Sequence, residues 1–105
     1  MTNQATTIPA HLMQDRHWKG TLHLFSQNDK LRMYFTAKYF NIPEGIIKTA
    51  ALKTLSKPWS ESEKFMLDLA LHLYSDSNKV NLSDMDYLDS NNKRLALEAI
   101  RMRFC

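Results

Sequence analysis

The chain has 105 residues, 44% hydrophobic and 24% charged, with a formal net charge of +3. That length suits one small core and is too short for two, and the hydrophobic share excludes a chain disordered throughout. Two glycines, three prolines and abundant Leu, Met, Ala and Lys favour helices over sheets, and no run of β-branched residues alternates with polar ones. The single cysteine, Cys105, has no partner for an intramolecular disulfide, so a reducing cytoplasm is the expected location. Residues 1–9 lack the charged and apolar regions of a signal peptide, and the densest apolar run is about half the ~20 residues of a membrane span. Charge is unevenly distributed: residues 1–59 carry a net +5, residues 60–92 a net −5 and residues 93–105 a net +3.

Residues 1–8 read as a frayed tail, and a single all-helical domain is expected over residues 9–105. A first helix is predicted over residues 12–25 from the stripe of Met13, His17, Thr21, Leu24 and Phe25, although Gly20 inside it costs about 1 kcal/mol relative to Ala. The polar break at residues 26–29 supplies caps for a second helix over residues 30–40, with Leu31, Tyr34, Phe35 and Lys38 on one face. Asn41, Ile42, Pro43 and Glu44 then read as a turn into a third helix, with Pro43 in its first turn and Ile46, Ile47, Ala50, Ala51 and Leu55 on its buried side. Pro58 ends it.

Ser60 followed by Glu63 has the form of a capping box and opens the helix expected at the centre of the fold, residues 60–75. Apolar residues from Phe65 to Tyr74 fall on nearly every side, as they do when neighbours surround a helix. Residues 75–79 form a loop, Val80 and Leu82 are expected to tuck back onto the core, and Ser83 caps a short turn anchored by Met85 and Leu88. The last helix begins near Asp89 or Ser90, buries Leu95, Ala96, Ala99 and Ile100, and ends with Arg101 and Arg103 where positive charge offsets its dipole. The predicted fold is all-α: a compact bundle of four to five helices around a central buried helix.

The second half carries a resemblance in Ser62, in the run Leu69, Ala70, Leu71, His72, Leu73 and Tyr74, in the run Leu88 to Asn92, and in Ala96, Ala99, Ile100, Arg103 and Phe104. Over residues 56–104 the chain resembles a family of short proteins of Firmicutes and their mobile elements, a domain of unknown function. Where that family has Asn-Leu-Tyr-Asn-Gly, this chain has His72, Leu73, Tyr74, Ser75 and Asp76. The resemblance implies a helical fold and brings no chemistry with it.

Residues 37–53 carry the spacing of a helix-turn-helix, with Ala37 in the first helix, Asn41 at the turn and Ile42, Ile47 and Ala50 as anchors. Lys38, Lys48, Thr49 and Lys53 would then face phosphates or base edges. Any two consecutive helices of an all-α domain can give the same spacing. His11, His17, His23 and His72 lack the close pairing of a metal site, and residues 84–92 lack the Gly and Glu of a calcium loop. No catalytic motif and no cofactor motif is present, so no catalytic, cofactor or metal residues are expected.

Trp18, Tyr39, Trp59 and Tyr87, with Tyr34, exceed what one small core readily encloses, and Trp and Tyr are typical interface anchors. The leading expectation is a non-enzymatic cytoplasmic protein of a phage or mobile element that binds another protein, with self-association as one form of that binding. The alternative is a nucleic-acid-binding protein using residues 37–53.

Overall fold

In the computed structural model, which describes residues 8–105, the chain runs as α1 (Ala10–Met13), α2 (Lys19–Gln27), α3 (Asp29–Arg32), β1 (Phe40–Asn41), β2 (Ile46–Ile47), α4 (Thr49–Leu55), α5 (Glu61–Tyr74), a 3-10 turn (Leu82–Tyr87) and α6 (Ser90–Phe104). The structure is mostly helical, with one two-stranded antiparallel sheet in which Phe40 faces Ile47 and Asn41 faces Ile46. Residues 1–7 of the expected tail lie outside the described residues, while Ile8 is half-buried against the core.

The capping box forms as expected. The Ser60 hydroxyl accepts from the Glu63 N–H at 3.3 Å, and the Glu63 carboxylate accepts from the Ser60 N–H at 3.1 Å. Two free donors at the start of α5 are thereby satisfied, and the helix then buries Phe65, Met66, Leu67, Leu69, Ala70, Leu71 and Leu73, almost its whole circumference. Asp89 caps α6 by accepting from the Asn92 N–H at 2.8 Å, and Leu95, Ala96 and Ala99 form the buried side.

Helix α2 packs on α1, α3, α5 and α6. Its buried Thr21 hydroxyl donates to the Ala70 carbonyl at 2.7 Å, which removes the cost of burying a hydroxyl and ties α2 to α5. Gly20 lets α2 and α6 approach: a Cβ there would lie 2.7 Å from the Ala99 carbonyl oxygen. No helix of the described residues is long and apolar enough to cross a membrane.

Several expectations for the first half are corrected. The helix predicted over residues 12–25 is broken, because the Asp15 carboxylate accepts from the His17 N–H at 2.7 Å and the Asp15 carbonyl takes the Trp18 N–H at 2.9 Å. A short acceptor side chain offers the backbone a local turn in place of the helical ladder. The helix predicted over residues 30–40 stops at Arg32. Beyond it, Phe35 and Phe40 pack against Phe25, with Phe40 centred 4.8 Å from each of the other two rings, and that packing outweighs the helical pattern.

The third predicted helix starts late, at Thr49, because Ile46 and Ile47 pair with residues 40–41 as a strand. Pro43 occupies a tight turn rather than a helix start. There the Asn41 side chain accepts from the Glu44 N–H, the Ile42 carbonyl accepts from the Gly45 N–H, and Gly45 has φ 67°, a conformation L side chains rarely adopt. Ala50 and Ala51 are consequently exposed and Leu52 is the buried residue of α4. In the second half, Val80 packs on the core but Leu82 stays exposed, and Asn81 rather than Ser83 caps the 3-10 turn.

Candidate functional site

Residues alternate across a strand, so the burial of Phe40 and Ile47 turns their neighbours outward. Tyr39 and Lys48 lie opposite each other on the outer face, joined by the Lys48 N–H to the Tyr39 carbonyl at 2.8 Å, with Asn41 and the exposed Ile46 beside them. The Lys38 ammonium lies 5.5 Å from the Tyr39 ring centroid. Tyr34 stands edge-on to Tyr39 at 6.1 Å and tilted against Trp59 at 5.4 Å. Over the Trp59 ring, at 5.0 Å, sits the Lys30 ammonium, which is also 4.0 Å from the Glu63 carboxylate. The result is a line of side chains, Lys38, Tyr39, Tyr34, Trp59 and Lys30, in which each ring is held by a neighbouring ring or cation. A cation on an aromatic face contributes about 0.5–1 kcal/mol at exposed positions, which favours this arrangement over a splayed one.

This line gathers parts of both expected residue sets. Tyr39 and Trp59 come from the partner-binding set and Lys38 from the nucleic-acid set, while Tyr34, one of the surplus aromatics, joins them. The signal in the sequence is the four-residue spacing of Lys30, Tyr34 and Lys38, which even a helical reading places along one face.

Trp18 and Trp59 are core residues rather than surface anchors, at 5% and 9% exposure. Trp18 stands edge-on to Tyr74 at 5.5 Å, and Trp59 belongs to the line just described as its buried member, between Tyr34 and Lys30. Tyr87 is 59% exposed on the 3-10 turn, outside the line.

The helix-turn-helix expected over residues 37–53 does not form. Ala37 lies in a turn, residues 40–47 make a hairpin, and the four candidate contacts are distributed differently. Lys38 and Lys48 belong to the hairpin face, Thr49 is half-buried at the first residue of α4, and Lys53 pairs with Asp68 on α5. Lys53 also lines a shallow groove with Lys57 and Lys64.

Tyr74 fixes the hairpin to α5. Its hydroxyl accepts from the Ile47 N–H at 3.2 Å and donates to the Gly45 carbonyl at 3.5 Å. Tyr74→Phe leaves the Ile47 N–H without this partner, so we expect a loss of about 1–3 kcal/mol in urea unfolding. Hydrogen exchange at the Ile47 amide should also accelerate. Unchanged exchange would show that the hydroxyl does not hold the strand.

The histidines serve local structure. His72 Nδ1 lies 2.8 Å from the Asn78 carbonyl oxygen, and His23 Nε2 lies 2.9 Å from Glu98. The bond from His23, with a second from Arg94, holds the Glu98 carboxyl below its ordinary value of 4.5. Among the described residues no group of three or more His, Cys, Asp or Glu is placed to hold a metal ion.

Comparison with protein-family models, curated proteins and solved structures finds no match to this chain.

Proposed function

We propose that this protein is a non-catalytic binding module that engages an acidic protein surface through the outer face of the hairpin. The observation that carries this reading is the line of Lys38, Tyr39, Tyr34, Trp59 and Lys30. It combines half-buried Tyr34 and Tyr39, packed in line with the buried Trp59, with ammonium groups at both ends, and Lys48 and the exposed Ile46 extend it. Interfaces draw their energy from a few Tyr, Trp and Arg anchors ringed by polar groups, and pre-ordering lowers the entropy cost of binding. The net +5 of residues 1–59 supports an acidic partner.

The test is affinity capture with immobilised wild type beside two variants, Tyr39→Ala and the double variant Lys38→Glu/Lys48→Glu. Lys38 and Lys48 lie at the surface, where stability changes are usually within about 0.5 kcal/mol, and urea unfolding of Tyr39→Ala, at a half-buried position, separates lost binding from lost stability. A partner retained by wild type, released by salt and bound about 30-fold more weakly by Tyr39→Ala is the expected result. Equal retention by wild type and both variants would remove the hairpin face as the site.

A second reading, single-stranded nucleic acid on the same face, is supported by the cations interleaved with aromatic rings, which suit phosphates and bases together. It takes the place of the helix-turn-helix reading of residues 37–53, because residues 40–47 form a hairpin and only Thr49–Leu55 is helical there. Fluorescence anisotropy with a labelled oligonucleotide at low salt checks it. Absence of binding there, where phosphate contacts are strongest, would eliminate it.

A further inference from the structure

Two grooves at the C-terminal end of α5 share His72 and Phe104, and neither takes part in the hairpin face. One, about 560 Å³, is polar and carries His17, Ser75, Asp76 and Arg103. The other, about 190 Å³, is apolar, floored by Leu69 and Leu73 and walled by Val80, Leu82 and Ile100. Leu82 and Phe104 are 57% and 63% exposed, two large apolar side chains standing on either side of a concave apolar floor.

The donor of the polar groove is Arg103. A carbonyl oxygen can only accept, so His72 Nδ1 carries the proton given to Asn78, and Nε2 of the neutral ring is left as an acceptor rather than a donor to an anion. Arg103 lies over the Phe104 ring at 4.5 Å and enters none of the ion pairs among the described residues. Stacking on an aromatic face leaves the edge of a guanidinium available, and that edge matches a carboxylate in two parallel hydrogen bonds. The one acid of the groove, Asp76, offsets the Arg103 charge, so the fork geometry of the guanidinium rather than net charge selects a carboxylate, and a single one.

We propose that the joined grooves bind a short-chain monocarboxylate, with its head on Arg103 and its alkyl tail on Leu69 and Leu73 between Leu82 and Phe104. At roughly 30 Å³ per water-sized group, the apolar arm has room for a chain of about six such groups. A small site of this kind, an apolar pocket with a few converging polar groups, is the usual form of a ligand site.

The experiment is an NMR titration of the full chain with hexanoate, and with hexanol and acetate as the tail alone and the head alone. Hexanoate is expected to shift the amides of residues 72–76, 80–82 and 100–104, with both controls at least about tenfold weaker. Arg103→Gln should weaken hexanoate about tenfold and leave hexanol unchanged. Leu82→Asp, at an exposed position outside the core, should weaken hexanoate by at least as much, and it keeps the test decisive if the Arg103 variant fails to fold. Three outcomes would overturn the proposal: no shifts with hexanoate at tens of millimolar, equal affinity for acetate or hexanol, or hexanoate binding unaffected by both substitutions.

Discussion

Gly20→Val is expected to remove most of the folding stability. A Cβ at residue 20 would lie 2.7 Å from the Ala99 carbonyl oxygen and 3.1 Å from Leu73 Cδ1. The leucine methyl can rotate away, but the carbonyl belongs to the backbone of α6, which would have to shift as a unit and lose the contacts of Leu95, Ala96 and Ala99. Two effects oppose each other for Gly20→Ala. Helix propensity gains up to about 1 kcal/mol, less near a helix start, while overpacking a dense interior costs about 1–3 kcal/mol or more. The backbone contact makes the second larger, so Gly20→Ala should lose about 1–2 kcal/mol. The branched side chain of valine adds two further carbons to the same space, and its loss should exceed 3 kcal/mol, a large part of the roughly 5–15 kcal/mol that stabilises a domain. Urea unfolding of the two variants gives both numbers. A midpoint raised by Gly20→Ala would mean that α2 and α6 do not approach this closely.

Gly20 also shows where reading the sequence stops. As a residue in a helical stripe it registers only as a local weakness, because nothing in the chain near it announces that Ala99 will arrive opposite. Features decided within a few residues were legible: the Ser60 and Glu63 box, the Asp89 cap, the loop at residues 75–79, and the near-continuous burial of α5. Residues 33–47 were not, because two forces compete there. Leu31, Tyr34, Phe35 and Lys38 do share a helical face, but Phe35 and Phe40 both gain more by closing on Phe25, and the Gly45 turn lets Ile46 and Ile47 pair back on residues 40–41. The candidate site suffers from the same misreading. Tyr39 and Lys38 were recognised as candidate contacts, but the outer face that joins them to Tyr34 and Lys48 exists only once the hairpin replaces the helices.

That dependence makes Phe40→Ala the most informative substitution for function. Phe40 is 2% exposed, and its ring meets Phe25 and Phe35 edge-on at 4.8 Å each, so truncation removes the shared member of the aromatic cluster. Phe→Ala in a core costs about 3–5 kcal/mol through lost transfer energy and the cavity left behind. Thermal or urea unfolding should register that loss in full. The consequence for the hairpin is separable from it. Tyr39 and Lys48 face outward only because Phe40 and Ile47 are held inward, so the variant that remains folded at low temperature should have a disordered outer face and bind any partner of that face as weakly as Tyr39→Ala does. Phe40→Leu provides the contrast, since it retains much of the buried volume and should restore most of the binding and part of the stability. If Phe40→Ala lowered stability as expected yet bound its partner like wild type, the binding surface would lie elsewhere on the molecule, and the hairpin would be only a strap across Phe25.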